Sequence, residues 1–172
     1  MRIKGYALEN LLDYISKTQD EKNADRLRRK LPEDIVPGTW YPLDAYLEIL
    51  EELERISGGK RGAIPREVGR FKAQHAAQGP YRLFFIFASP GFLIKRAGAF
   101  WGFYHDWGTV RVMAHHDKGA DLAIEYEEEI PELYLHTIAG WMEKSLEIAG
   151  AKSPVVGFSV GEKVVEFRLS WE

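Results

Sequence analysis

Apolar residues recur at helical spacing through the first half of the chain. Leu8, Leu11, Leu12 and Ile15 share one face of a segment beginning near Tyr6, and after a polar stretch over 16–23 the positions Ala24, Leu27 and Leu31 resume the pattern. Two short helices are expected. Pro32 and Pro37-Gly38 interrupt the chain, and Pro42 opens a third helix with Leu43, Tyr46, Leu47, Leu50, Leu53 and Ile56 on its apolar face. Glu48, Glu51, Glu52 and Glu54 mark the solvated side, and Gly58-Gly59 ends it. A fourth helix is predicted from Pro65 to about Gln78, with Val68, Phe71, Ala73, His75 and Ala76 directed inward. Gly79-Pro80 closes it, and residues 81–87 read as a short buried helix with a strand as the alternative. Ser89-Pro90 then caps a helix over 91–105 lined by Phe92, Leu93, Phe100, Trp101 and Tyr104.

The period changes after Gly108. Val110, Val112 and Ala114 alternate with Thr109, Arg111 and Met113; a turn over 116–119 follows; then Leu122, Ile124 and Tyr126 alternate with Asp121, Ala123 and Glu125. Pro131 opens a long helix to about Ala149 with Leu135, Ile138, Met142 and Leu146 on one face. A second hairpin runs over 155–160 and 163–171, turned at Gly161-Glu162. The expected fold class is α+β: an N-terminal helical layer (1–107) on a four-stranded antiparallel sheet made of two hairpins joined by a long helix (108–172), all in one domain over 1–172.

At 172 residues, folding should bury roughly 70% of the surface the unfolded chain exposes, enough for a core without staples. The absence of cysteine excludes disulfides, thiolate metal sites and a cysteine nucleophile. A net charge of −3 gives no global attraction to nucleic acid or an anionic membrane. The first residues lack the apolar run of an export signal, and the most apolar stretch, 83–94, is broken by Pro90 and falls short of the ~20 residues that span a bilayer. A cytoplasmic location with no membrane span is expected.

Catalytic and metal chemistry find little support. His75, His105, His115, His116 and His136 form no metal-spaced set, and adjacent His115 and His116 on a strand point to opposite faces. His105, at a helix end before Asp106, suits a C-terminal capping role, with haem ligation the weaker alternative. There is no nucleophile elbow and no Ser-x-x-Lys, and the glycines at 58–62 follow a helix where a phosphate loop should follow a strand. An enzyme built around His105, Asp106 and His136 is the least favoured reading.

Two features remain. Residues 60–96 hold eight basic side chains against one acid, a local charge of +7, and residues 121–147 hold eight acids against one base, −7. The opposition suggests that the helical layer faces acidic surface from the sheet half, within one chain or across a dimer, with nucleic acid as the alternative. The second feature is a run of ten aromatic residues between Tyr81 and Trp107, dense enough to build a solid core or to wall an apolar pocket.

Several local signatures carry a resemblance: Lys4-Gly5, Leu31-Pro32, Trp40-Tyr41-Pro42-Leu43, Arg66-Glu67-Val68-Gly69-Arg70-Phe71 and Phe87-Ala88-Ser89-Pro90-Gly91-Phe92. They continue with Trp101, Tyr104, Gly108, Ile138-Ala139-Gly140-Trp141, Ala149-Gly150-Ala151 and Glu166-Phe167-Arg168-Leu169-Ser170-Trp171. With these the chain resembles a bacterial family of mostly unknown function in the superfamily of haem–nitric-oxide-binding, 4-vinyl-reductase-like and TRAPP-type Golgi transport domains. The resemblance implies a small-molecule sensor or adaptor, commonly dimeric, with a ligand between helices and sheet. Departures matter: the final strands lack the cysteines frequent in the vinyl-reductase-like branch, and no Tyr-x-Ser-x-Arg stretch of the haem-binding branch is present.

The expected function is therefore a non-catalytic binding or sensing module for an apolar small molecule or a protein partner. The alternative is an assembly protein dimerising through its helical layer without a ligand. The expected pocket wall is Phe84, Phe87, Phe92, Phe100, Trp101, Tyr104 and Trp107, with Arg70 and Arg96 anchoring an acidic ligand group. No catalytic residues, no metal and no cofactor are expected, haem being a minor alternative, and the expected partner is a second copy of the chain.

Overall fold

In the computed structural model, which describes residues 1–78, 82 and 88–172, the chain opens with a three-residue strand, β1 (Arg2–Lys4), paired antiparallel with β2 (Trp40–Pro42). Strands this short carry no periodic signal, so the ribbon goes unseen in the hydrophobic pattern. It nevertheless sets the entry to the helical layer, because Ile3 is fully buried. Helix α1 (Gly5–Thr18) follows and buries Leu8, Leu11 and Ile15. Asp20 then caps α2 (Glu21–Arg28), its carboxylate accepting from the Asn23 backbone N–H at 2.9 Å. Helix α3 (Leu43–Ser57) starts after Pro42 and stops at Gly58, whose φ of 62° is the left-handed conformation that glycine adopts without a Cβ clash.

Among the described residues, helix α4 (Ala63–Gln78) and the long α7 (Glu132–Ile148) form the closest helix pair. Two glycines make this possible. A Cβ on Gly69 would fall on the Thr137 carbonyl oxygen, and one on Gly140 would fall on the Arg66 carbonyl oxygen, so at the crossing only hydrogen separates the two backbones. The basic segment expected to meet acids does so here, inside one chain: Arg61 pairs with Glu132 at 2.9 Å, Arg66 with Glu143, and Arg70 with Glu147 at 2.6 Å. The acids belong to α7, the helix of the sheet half.

The single helix expected over 91–105 is two, α5 (Pro90–Lys95) and α6 (Ala97–Tyr104). The break falls at Arg96, with φ −104° and ψ 4°, whose N–H is shared between the Phe92 and Leu93 carbonyls as the first helix winds down. The new direction lays α6 against the first strand of the sheet. The helix expected over 81–87 lies outside the described residues.

Strands β3 (Thr109–His116), β4 (Gly119–Glu125), β5 (Val155–Gly161) and β6 (Val164–Ser170) form one antiparallel sheet of order β3-β4-β6-β5. The two hairpins thus join through their second strands, with Leu122 opposite Phe167 and Ile124 opposite Val165. The second turn is displaced one residue from its expected place: Gly161 and Val164 are paired, and Lys163 takes the left-handed conformation with φ 56°. A bulge interrupts β3 between Val112 and Ala114, leaving Met113 exposed. One hydrophobic cluster runs from Leu11 and Leu50 in the helices through Tyr134 and Ile138 to Ile124, Val165 and Phe167 in the sheet. No helix among the described residues is long and apolar enough to cross a membrane.

Candidate ligand site

Along α7, residues Tyr134, Thr137, Ile138, Trp141, Met142, Ser145 and Leu146 recur at steps of three and four and line one side of a cavity of about 90 Å³. The opposite wall is Leu93 and Ile94 from α5 with Ala97, Phe100, Trp101 and Tyr104 from α6, and the strands add Val110, Leu122 and Leu169. Twelve residue steps of helix separate the ends of the α7 stripe, a rise of roughly 18 Å. The walls of this channel are almost wholly apolar.

Polar groups gather near the Tyr134 end. The His105 ring stacks on Trp101 with centroids 3.7 Å apart, and both nitrogens are engaged. Nδ1 lies 3.2 Å from the Trp101 carbonyl, which can only accept, so Nδ1 carries the proton; Nε2, 2.7 Å from the Tyr134 hydroxyl, accepts from it. Burial and the neighbouring Lys72 push the His105 pKa down to about 3, so the imidazole is neutral. The Tyr134 hydroxyl is pushed above its ordinary range by burial, which keeps it a donor.

Lys72 reaches the same end from α4. It is only 9% exposed, and burial pushes its pKa down to about 8. The ammonium lies 4.9 Å from the Tyr46 ring centroid and 6.0 Å from that of Tyr134. Among the described residues, no carboxylate or hydrogen-bond acceptor pairs with it. Near the other end of the stripe, the buried Ser145 hydroxyl has no hydrogen-bond partner among the described residues.

Of the residues expected to form a pocket, Phe100, Trp101 and Tyr104 line the channel. Phe84 and Phe87 lie outside the described residues. Phe92 is exposed and packs near Arg96, with 5.8 Å between the guanidinium and the ring centroid. Trp107 stands behind the wall, edge-on to Trp101 at 4.9 Å, with its carbonyl accepting from Trp101 Nε1 at 2.7 Å. Arg70 is paired with Glu143 and Glu147 outside the channel. Sequence reasoning passed over Lys72 and Tyr134. Lys72 falls in register with Pro65, Val68, Gly69 and Ala76 on the buried face of α4, a signal that a lysine's charge disguises. The histidine grouping considered for catalysis does not assemble: Asp106 pairs with Arg2 at 2.5 Å, and the His136 ring packs against Phe158 at 5.0 Å.

No protein-family model and no curated protein matches the chain. Solved structures do. An H-NOX protein from S. oneidensis in the Fe(II)NO ligation state aligns over 98% of this chain and 99% of its own with a TM-score of 0.79 and 12% identity. The Fe(II) unliganded H-NOX protein from K. algicida aligns over 98% and 96% with a TM-score of 0.75 and 12% identity. The fold is that of the H-NOX proteins. A third structure, described as modulating heme redox potential through protein-induced porphyrin distortion, covers 98% of this chain and 99% of its own at a TM-score of 0.73 and 14% identity.

These H-NOX neighbours correct the expectation that no cofactor is involved: haem, a minor alternative on sequence grounds, is the group this fold is described with. The residues here do not fit it as arranged. The channel's free volume of about 90 Å³ does not take a porphyrin without outward movement of the walls. His105 is the single imidazole on its wall, and neither nitrogen has a lone pair free for iron. Seating a haem here requires His105 to exchange its Tyr134 hydrogen bond for the metal and requires α5 and α6 to move outward from α7.

Proposed function

We propose that this chain is a non-catalytic sensing domain whose ligand lies in the channel between α7, the α5–α6 pair and the sheet. The observation that carries the reading is the channel itself: an apolar space with a polar cluster at one end, in a fold that haem-holding proteins share over nearly their whole length. Residues 1–172 act as one unit in this reading, the helical part closing over the hairpin–helix–hairpin part, and haem is the first occupant to test. Binding rather than catalysis is favoured by the state of the polar groups. His105 and Tyr134 satisfy each other, which fixes a tautomer and leaves that histidine no free lone pair with which to take a proton from a substrate.

Native mass spectrometry and an absorption spectrum of the protein as purified from cells test the reading, beside the variant Ala97→Trp, which fills the channel from α6. Extra mass or a Soret band is expected in the parent and not in the variant, with the melting transition of the variant retained. A parent that carries nothing and whose melting temperature is unmoved by hemin or by fatty acids overturns the reading, as does a ligand that Ala97→Trp still holds.

A further inference from the structure

Resting on the channel as the ligand site, we propose that its occupant carries a carboxylate, held by Lys72, on an extended apolar body lying along Ile138, Met142 and Leu146. A fatty acid has this chemistry.

A lysine ammonium withdrawn from water normally finds an anion, because an unpaired buried charge is among the most costly groups a protein can hold. Arg66 and Arg70, on the same helix, each have carboxylate partners; Lys72, more buried than either, has two aromatic faces and no anion among the described residues. Of the other polar groups at that end, the buried Tyr46 hydroxyl has no hydrogen-bond partner among the described residues, while Thr137, His105 and Tyr134 are committed. Thr137 donates to the Leu133 carbonyl at 3.3 Å, and His105 and Tyr134 are bonded to each other. Among the described residues, a carboxylate entering the channel therefore meets one unpaired cation, to which it can make charge-assisted hydrogen bonds in a poorly solvated setting. Beyond the head, α7 offers a continuous apolar stripe for a chain. Ser145 lies roughly 16 Å farther along the helix and marks the far end.

Calorimetric titration of the full chain with decanoate, decanol and hemin separates the cases. Decanoate is expected to bind at least tenfold more tightly than decanol, and Lys72→Met is expected to erase that preference while leaving decanol affinity within twofold; Lys72→Gln serves as a second variant. Equal affinity for decanoate and decanol in the parent, or a preference that survives in both variants, overturns the Lys72 anchor and leaves the channel standing. Binding of hemin alone overturns the extended occupant and leaves the channel standing. Binding of none of the three overturns the anchor and the channel together.

Discussion

The outer and inner sides of α4 treat positive charge in opposite ways. Arg66 and Arg70, one turn apart, face the carboxylates of Glu143 and Glu147 across the α7 crossing, and Arg66 also donates to the Val156 carbonyl at 2.8 Å, tying the helix pair to β5. Lys72, two residues farther along and therefore on the other side of the helix, enters the apolar interior with aromatic rings for company. Both sides hang on the same contact, the close approach at Gly69 and Gly140. The difference teaches that the unpaired lysine is not a general failure of this fold to supply acids, since Glu143 and Glu147 stand one helix face away. A destabilising group retained beside a channel is the pattern expected where function, not stability, sets the residue.

The largest effect should come from removing what both sides share. Gly140→Ala drives a Cβ into the Arg66 carbonyl and must push α4 away from α7, disturbing the ion pairs and the channel together. A loss of about 3 kcal/mol or more is expected in urea denaturation, and a variant as stable as the parent would mean that the helices do not touch as closely as described. Next comes Lys72→Met, which acts on the inner side alone. The pKa displacement from 10.5 to about 8 corresponds to a cost of roughly 3 kcal/mol for holding the ammonium inside. The variant should therefore be more stable than the parent at neutral pH by up to about that amount. Because the folded-state value lies below the unfolded one, the unfolded chain keeps its proton between about pH 8 and 10.5 while the folded chain has released it. Parent stability relative to the variant therefore rises through that window, and the cost is fully present below it. Parallel denaturation curves at pH 7, 9 and 10.5 check this; a constant gap between the two proteins would place Lys72 in water.

Much of this arrangement is legible in the sequence. The period-2 segments after Gly108 yield both hairpins and their pairing into one sheet, and Pro131 and Gly150 bracket α7 because proline and glycine act locally, through backbone geometry, whatever the tertiary context. Phe100, Trp101 and Tyr104 could be named as wall residues because aromatic density tracks burial. What stayed hidden depends on contacts far apart in sequence. The β1–β2 ribbon joins residues about forty positions apart. The break at Arg96 serves the docking of α6 on β3. Lys72 reads as a surface cation until α7 is known to lie against it, and by the same logic Arg70, expected to greet a ligand, is held by acids that only the α4–α7 crossing brings near.

The smallest expected effects lie on the outer side and compare its two arginines with each other. Arg66 is the more enclosed, pairs with the buried Glu143 and bonds the Val156 carbonyl; removing it leaves Glu143 with the more distant Arg70 at 3.6 Å and the Val156 N–H at 3.2 Å, and strands a carbonyl on β5. Arg66→Ala should therefore cost about 1–3 kcal/mol, in the range for a buried charge that loses its closest partner after allowance for solvent at the guanidinium. Arg70 is 38% exposed, and its Glu147 partner already has Lys144 at 2.7 Å. Water and that second cation both blunt the loss, so Arg70→Ala should cost less than about 1 kcal/mol and should cost still less in 1 M salt. If the two variants proved equal, the outer side would be a uniformly solvated charge pattern, and the contrast with Lys72 would reduce to ordinary surface against interior. If Arg66 dominates, the crossing holds a built ion pair on one face, and the absence of one on the other is a property of the channel.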